Sequence, residues 1–415
     1  VVPAKRSGSM LSTVRLSVLG LRREPPRPLD DRQPGYEALF DYDTLFFDVF
    51  RSPDGRKIIC LGPPLLNCEP FFADVRFRLN GCTHPLQAIY KPSQMHLQPS
   101  CRFELAVPVA ADTDRISIEL GGRSVTVPVG DSGCTPFEGR RVVVTMVKDT
   151  PIQWIHDWAQ FNARIHGAES FILYNNGSTK YGSDDLRGVL DSLDAPGPHR
   201  VIDWDFPRGP GVGLRRIQDS FYCQPGGLDH ARRRFCALSR SVLNCDVDEL
   251  VVGPEGFSVF EEAEELQGPG LHIHGKWVEL VGASNPDHDE PVRLRHRDFI
   301  FAQRKQSVWR LLGMYNRLLR TKWLALPANC DDHVDWTVHF LASPHQSLSD
   351  IDSSVGSKRF MYRHFRQLTT KDLWPRRRIK RYNPIKHMFD RDLRNAMQRA
   401  WGSDLETPDL FREFS

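Results

Sequence analysis

The chain has no uninterrupted apolar stretch near the ~18 residues that a membrane-spanning helix requires. It has no Cys-x-x-Cys pair among its nine cysteines, and its net charge is only +3 over 415 residues. The first absence argues against a spanning helix. The second removes the spacing of a structural zinc site. Cys60, Cys68, Cys82, Cys101, Cys134, Cys223, Cys236, Cys245 and Cys330 are odd in number and scattered, and several sit among apolar neighbours as reduced core cysteines do. A reducing, cytoplasmic compartment is the expectation, with a disulfide among the first five left open. The small net charge argues against a nucleic-acid coat, so no nucleic-acid partner is expected. The N-terminus carries basic residues but neither a long apolar core nor a cleavage site, so no signal peptide is read there. Gly8-Ser9-Met10 reads as a fusion scar before a natural start, and the first nine residues are set aside.

What is present is the texture of a soluble globular protein, 40% hydrophobic and 26% charged. The length favours two domains. Residues 1–35, with Pro25, Pro26, Pro28 and Pro34, read as scar and irregular lead-in. Residues 36–130 hold short alternating runs at 44–50, 57–61, 73–79, 103–107, 116–120 and 124–127, with Asn80-Gly81 and Gly121-Gly122 as hairpin turns. This pattern predicts a small antiparallel sandwich. Past a linker to Gly139 the texture changes to α/β. Residues 141–147, 171–174 and 201–204 read as buried strands, and 151–166 as a helix stopped by Gly167. Residues 228–240 look helical, and 242–252 make a fourth strand. Alternation of this kind implies a mostly parallel sheet.

The fourth strand contains the most informative stretch, in which an apolar run breaks into Asp246-Val247-Asp248-Glu249 and becomes apolar again. Unpaired carboxylates cannot lie inside a sheet core, so they are expected at its open end, where α/β sheets bind ligands. On an extended backbone Asp246 and Asp248 would point the same way. Two carboxylates on one side suit a hard cation such as Mg²⁺ or Mn²⁺. An exposed acidic turn would carry the same residues.

Lys148-Asp149, Asp157-Trp158, Gly167, the 171–178 run and the 246–250 box, taken as an ordered set, resemble the glycosyltransferases of family 92 and the related family-2-like group. The resemblance spans roughly residues 141–370. The chain departs from it at Asp149, Thr150, Asp157 and Leu250, where the family has Asn, Glu, Glu and Phe. The implied fold is a GT-A (Rossmann-like, mostly parallel sheet) catalytic domain over 140–370, preceded by the all-β sandwich. A basic helical extension over 371–415 would follow it. The implied activity is metal-dependent transfer of a sugar from a nucleoside diphosphate sugar, UDP favoured, to a glycan hydroxyl with inversion, as in polysaccharide biosynthesis. By the resemblance Asp246, Asp248 and a late histidine, His364 ahead of His339, hold the metal. Glu249 would stand behind them.

The chemistry of that reaction assigns further roles. A departing diphosphate needs cations as well as metal, and Lys148, Arg215, Arg216, Arg232, Lys322 and the run 376–381 are available. Gln224, Asn175 and Asn176 are candidate donor-pocket residues, although Asn-Asn-Gly is also good turn chemistry. A base must take the acceptor proton; Glu279 is the first candidate, then Asp289 and Glu290. Trp277 could stack on a sugar or sit in the core. The basic run reads as a surface patch facing an anionic acceptor or a membrane surface, which would make the protein membrane-associated. Two alternatives differ in class. One is a carbohydrate-binding protein with an inactive GT-A half. The other is a metal-dependent phosphohydrolase, for which no second carboxylate–histidine cluster is evident.

Overall fold

The computed structural model describes residues 11–79, 84–93, 100–107, 114–211, 219–282, 294–304, 319–342, 356–368 and 380–402. Its largest element is a ten-stranded sheet. The first five strands are β1 (Arg141–Val147), β2 (Ser170–Asn175), β3 (Arg200–Asp203), β4 (Ser241–Asn244) and β5 (Glu249–Val252). The rest are β6 (Gly270–Glu279), β7 (Phe301–Gln303), β8 (Leu319–Ala325), β9 (Met361–Phe365) and β10 (His387–Phe389). In space they run β3-β2-β1-β4-β8-β6-β7-β10, with β9 along the second half of β6 and β5 paired to β9. The helices are α1 (Ile152–His166), α2 (Ser183–Asp191), α3 (Cys223–His230), α4 (Val259–Glu264) and α5 (Arg391–Trp401).

The sheet is mixed, which corrects the expectation of a mostly parallel one. Strands β1 to β4 pair in parallel, as does β6 with β9. The pairs β4–β8, β5–β9, β6–β7, β6–β8 and β7–β10 are antiparallel. The physical reason lies in the connections. Helical segments carry the chain back to the starting edge between β1, β2, β3 and β4, as parallel pairing requires. Between β4 and β5 there is only a tight turn, so β5 leaves its predecessor and finds β9.

The parallel strands are buried on both faces, as their continuous apolar runs demand. On one face α1 lays Trp154, Ile155, Trp158 and Phe161 against Val143, Phe171 and Leu173. On the other, Val144, Ile172, Tyr174 and Val242 meet Trp204, Phe235 and Trp323. Gly167, at φ 69°, closes α1 in the left-handed conformation and donates its N–H to the Ala163 and Asn162 carbonyls.

The N-terminal part forms antiparallel sheets of four and three strands, with the short strand Val14–Arg15 paired to Thr44–Phe46 beside them. Their inner faces share a core that includes Cys60, Phe77, Phe103, Ile116 and Ile118. Gly121 and Gly122, at φ 56° and 76°, make the hairpin turn of the second sheet. Asn80 and Gly81 lie outside the described residues. Strand Ala88–Lys91 went unread because it lacks alternation. The lead-in is held in place: the buried Arg23 guanidinium donates to the carbonyls of Pro64, Asp41 and Thr44. The sandwich meets the large sheet through Phe47, packed on Trp204 and Phe206, and through Asp48. Asp48, fully buried, takes His230 Nε2 at 2.9 Å and the Arg234 guanidinium. Among the described residues no helix is long and apolar enough to cross a membrane.

Candidate functional site

The acidic stretch is a turn, not an extended strand. Strand β4 stops at Asn244, β5 starts at Glu249, and the Glu249 N–H donates to the Asp246 carbonyl at 2.9 Å. The expected alternation of Asp246 and Asp248 along one strand is therefore corrected; the turn brings them to one sheet end by folding back. Three further bonds fix the turn. His296 Nε2 donates to the Val247 carbonyl at 2.8 Å, the Phe365 N–H to the Asp248 carbonyl at 2.8 Å, and the Asp246 N–H to Glu249 Oε2 at 3.0 Å.

Around this turn the fold gathers residues distant in sequence. Lys322 Nζ, from β8, contacts Asp246 Oδ2 at 2.6 Å and Glu249 Oε2 at 3.1 Å. His364, from β9, places Nε2 3.4 Å from Asp248 Oδ2 and Nδ1 3.5 Å from Glu249 Oε1. Glu249 is thus the hub, with one oxygen toward each base. It is 2% exposed, and burial raises its pKa, with Lys322 pulling the other way. For Lys322, burial is outweighed by Asp246 and then Glu249, and its pKa is raised. For His364, burial is likewise outweighed, chiefly by Asp248, so its pKa also rises. Sequence reasoning gave Glu249 a subordinate place because its central position depends on β8 and β9 arriving from over 70 residues away.

Strand β6 supplies the next layer. Its parallel register sets Trp277 opposite His364, and the two rings lie against each other at a tilt of 37°, with centroids 4.2 Å apart. The Arg366 guanidinium lies 5.6 Å from the Trp277 ring, so this tryptophan is engaged by protein groups that steady His364. Gly275, on the same strand, faces Tyr362; a Cβ there would come 2.2 Å from its Cζ. Glu279 does not fit the role of base. It is 1% exposed and held by Arg366 Nη1 at 3.1 Å, His387 Nε2 at 3.3 Å and Lys380. Burial raises its carboxyl, but Lys380 and Arg366 outweigh that and lower its pKa, which weakens it as a proton acceptor. It anchors β6 to β9 and β10. Asp289 and Glu290 lie outside the described residues.

The remaining candidates divide by location. The pairing of Val144 with Asn244 brings the ends of β1 and β4 together, so the exposed Lys148 stands on the same rim as the acidic turn. Asn175 ends β2 on that rim, but it donates to Ser183 Oγ at 3.1 Å and accepts from the Ser178 N–H at 3.2 Å. Asn176 is 2% exposed and donates to the Trp204 and Phe206 carbonyls, both at 2.8 Å. Both asparagines therefore shape the loop, and Asn176 is too buried to reach a nucleobase. Gln224, half-buried, opens α3 beside them. Arg232 is elsewhere: it donates to the Asp331 carbonyl at 2.5 Å, behind the opposite face of β8, where Trp323 packs on Trp336. It is not brought to the acidic turn. His339 also lies on that face, its carbonyl accepting from Thr321 Oγ1 at 2.6 Å. Arg215, Arg216 and residues 376–379 lie outside the described residues.

Two of the resemblance markers have structural work to do. Asp149, at φ 50°, is a residue type that tolerates the left-handed region. Its carboxylate accepts from the Thr179 and Lys180 N–H groups at 2.7 and 3.0 Å, tying β1 to the loop after β2. Asp157, 2% exposed on α1, forms a two-pronged pair with Arg295, one residue from the His296 that holds the turn.

A divalent cation was expected at Asp246, Asp248 and His364. Asp248 Oδ2 and His364 Nε2 face each other at a separation suited to neighbouring ligands of one small ion, whereas Asp246 is engaged by Lys322. Among the described residues no three His, Cys, Asp or Glu side chains surround a single ion position. A pair of protein ligands still fits Mg²⁺-like chemistry, in which substrate phosphates and water complete the shell. No family model matches the chain, and a search of curated proteins finds no match for it.

Proposed function

We propose that the protein is a metal-dependent glycosyltransferase of GT-A type that moves a sugar from a nucleoside diphosphate sugar, UDP favoured, to a glycan hydroxyl. One observation carries the reading: a pre-organised acidic turn at the end of parallel strands, with Asp248 facing His364. Strand ends of this kind are where open α/β sheets take up nucleotides. Asp248 and His364 would hold Mn²⁺ or Mg²⁺, which when bound supplies charge neutralisation on the departing diphosphate. Lys148 on the rim adds a second positive charge toward that leaving group. Lys322 acts from below, holding Asp246 and opposing the burial that favours the protonated Glu249, which keeps the turn in shape. Trp277 holds the His364 ring. In the transfer the anomeric carbon exchanges its bond to diphosphate for one to the acceptor oxygen, and the acceptor proton passes to a base. Glu279 is unsuited to that task, which leaves Asp289 and Glu290 as the candidates.

The described end of the basic run leads into exposed Tyr382, Ile385, Met388 and Phe389, flanked by Arg381, Lys386 and Arg391. Exposed apolar side chains interspersed with cations suit peripheral contact with an anionic membrane. The test of the main reading is a panel of nucleotide sugars with Mn²⁺ present, followed by nucleotide release. Release that requires metal and vanishes in Asp248→Ala supports it. Full activity in excess EDTA removes the metal role, and glycan binding with no UDP or GDP binding favours the carbohydrate-binding alternative.

A further inference from the structure

A second polar cluster lies where α3, continued by the π-helical turn Ala231–Phe235, meets the sandwich. Arg232 and Arg233, 7% and 8% exposed, line a cavity of about 220 Å³ together with Pro53, Ile59, Cys330 and Asp332. The volume falls below the roughly 300 Å³ at which pockets for drug-sized ligands begin, so it suits a small ion with its water. It is too small for a sugar nucleotide.

The two arginines differ in how their charge is met. Arg233 donates Nε to Asp229 at 2.8 Å and Nη1 to Asp332 at 3.2 Å. Asp332 is further shared with Arg102, at 3.5 Å, and with Lys91, at 3.9 Å. Among the described residues Arg232 has only the Asp331 carbonyl and forms no ion pair. Arg232 Nη1 and Arg233 Nη2 are both buried without a hydrogen-bond partner among the described residues. Asp335 is buried in the same neighbourhood, but burial and Asp229 push its carboxyl up to about 6, which weakens it as a counter-charge. Burial in turn lowers the Arg232 guanidinium. A buried guanidinium is costly unless an anion meets it, and orphaned donors are uncommon in native structures. Here both orphans belong to neighbouring side chains that line one cavity, each atom itself covered, so an anion meets them once the guanidinium groups turn toward it.

We propose that this cavity binds a small oxyanion of the phosphate type, with Arg232 and Arg233 as its ligands. A guanidinium presents paired N–H groups that match such an anion. The site stands apart from the acidic turn, across β8, and does not rest on the glycosyltransferase reading.

The test is titration of the full chain with inorganic phosphate at constant ionic strength against chloride, following binding heat and the unfolding midpoint. The expected result is saturable binding, with a midpoint that climbs with the logarithm of phosphate concentration. Both effects should be lost in Arg232→Met and kept in Asp248→Asn, which separates this cavity from the acidic turn. In phosphate-free buffer Arg232→Met should raise the midpoint, because an unmatched buried cation is replaced by an apolar side chain. If that variant does not fold, Arg232→Lys decides, since it keeps the charge, loses the fork, and should weaken phosphate binding roughly tenfold. Absence of saturable binding to the unsubstituted chain, or a phosphate response unchanged by substitution of Arg232, overturns the proposal.

Discussion

Replacing Lys322 with methionine removes the buried ammonium and leaves the side chain's apolar length in place. The lysine side chain is 1% exposed and touches two carboxylates, of which Glu249 is 2% and Asp246 32% exposed. Breaking a buried ion pair by removing one partner costs about 3–5 kcal/mol, because the other charge stays behind without compensation. The Asp246 contact is discounted here, since water screens its more open carboxylate. Glu249 keeps His364 at 3.5 Å, and burial already raises its pKa so that it can take up a proton once the ammonium is gone; both soften the loss. The expected cost is therefore near the lower end, about 3 kcal/mol, read as a lower urea midpoint with an unchanged slope by far-ultraviolet circular dichroism. Because the damage is the stranded Glu249 charge, the double variant Lys322→Met/Glu249→Gln should recover about 2 kcal/mol of it. A single-variant cost under about 1 kcal/mol, or a double variant no better than the single, would refute the hub described for Glu249.

Other consequences are smaller in scope. His166, 1% exposed, donates Nε2 to the Val251 carbonyl at 2.8 Å and accepts the Val259 N–H at 3.3 Å, an arrangement only the neutral ring allows. Burial drives its pKa down to about 4, so below the ordinary 6.5 the unfolded chain binds the proton and the folded one does not. Stability is thus kept above pH 6.5 and falls by about 3 kcal/mol as the pH drops to 4. Denaturation at stepped pH should show this slope, and a His166→Gln variant should be flatter. Gly275→Ala drives a methyl into the Tyr362 ring and should cost about 1–3 kcal/mol by thermal unfolding. Asp48→Ala strands His230 and Arg234 where the sandwich meets the large sheet; a loss of about 3 kcal/mol is expected, with both parts unfolding earlier. Vesicles with anionic lipid should sediment the chain and lose it on Ile385→Glu/Phe389→Glu, whereas neutral vesicles should not retain it.

Much of the architecture was legible because its signals are local. The continuous apolar runs of β1 and β2, the 3.6-residue spacing of α1 and the closing Gly167 all depend on neighbours within one element. The alternating runs of the sandwich are local in the same sense. The mixed character of the large sheet was not legible, since it depends on which strand β5 meets, and that partner lies more than 100 residues later. At the site, the acidic stretch marked a sheet end correctly, but its backbone shape did not follow from composition. The same Asp-x-Asp fits a strand end or a turn, and the bond between Glu249 and Asp246 selects the turn. His364 lies beside Asp248 and Glu249, brought there by the pairing of β9 with β5. Arg232 did not, because a helical position shows proximity along the chain but not which face of the sheet the helix covers. Glu279 is the first candidate base because its strand, with Trp277, takes the acceptor-side place in the resemblance; its partners Arg366, His387 and Lys380 come from just past β9, from β10 and from the segment between them. Asn176 looked like a ligand because polar residues at strand ends often are, and it turned out to stitch the loop to Trp204 and Phe206.

The most direct measurement of the central proposal is calorimetric titration of UDP into the full chain, with and without Mn²⁺, repeated in Asp248→Asn and His364→Ala. The prediction is binding that needs the metal and fails in both variants while their circular dichroism spectra match the unsubstituted chain. UDP binding that is indifferent to Mn²⁺ and to both substitutions, or no UDP binding at all, would contradict it.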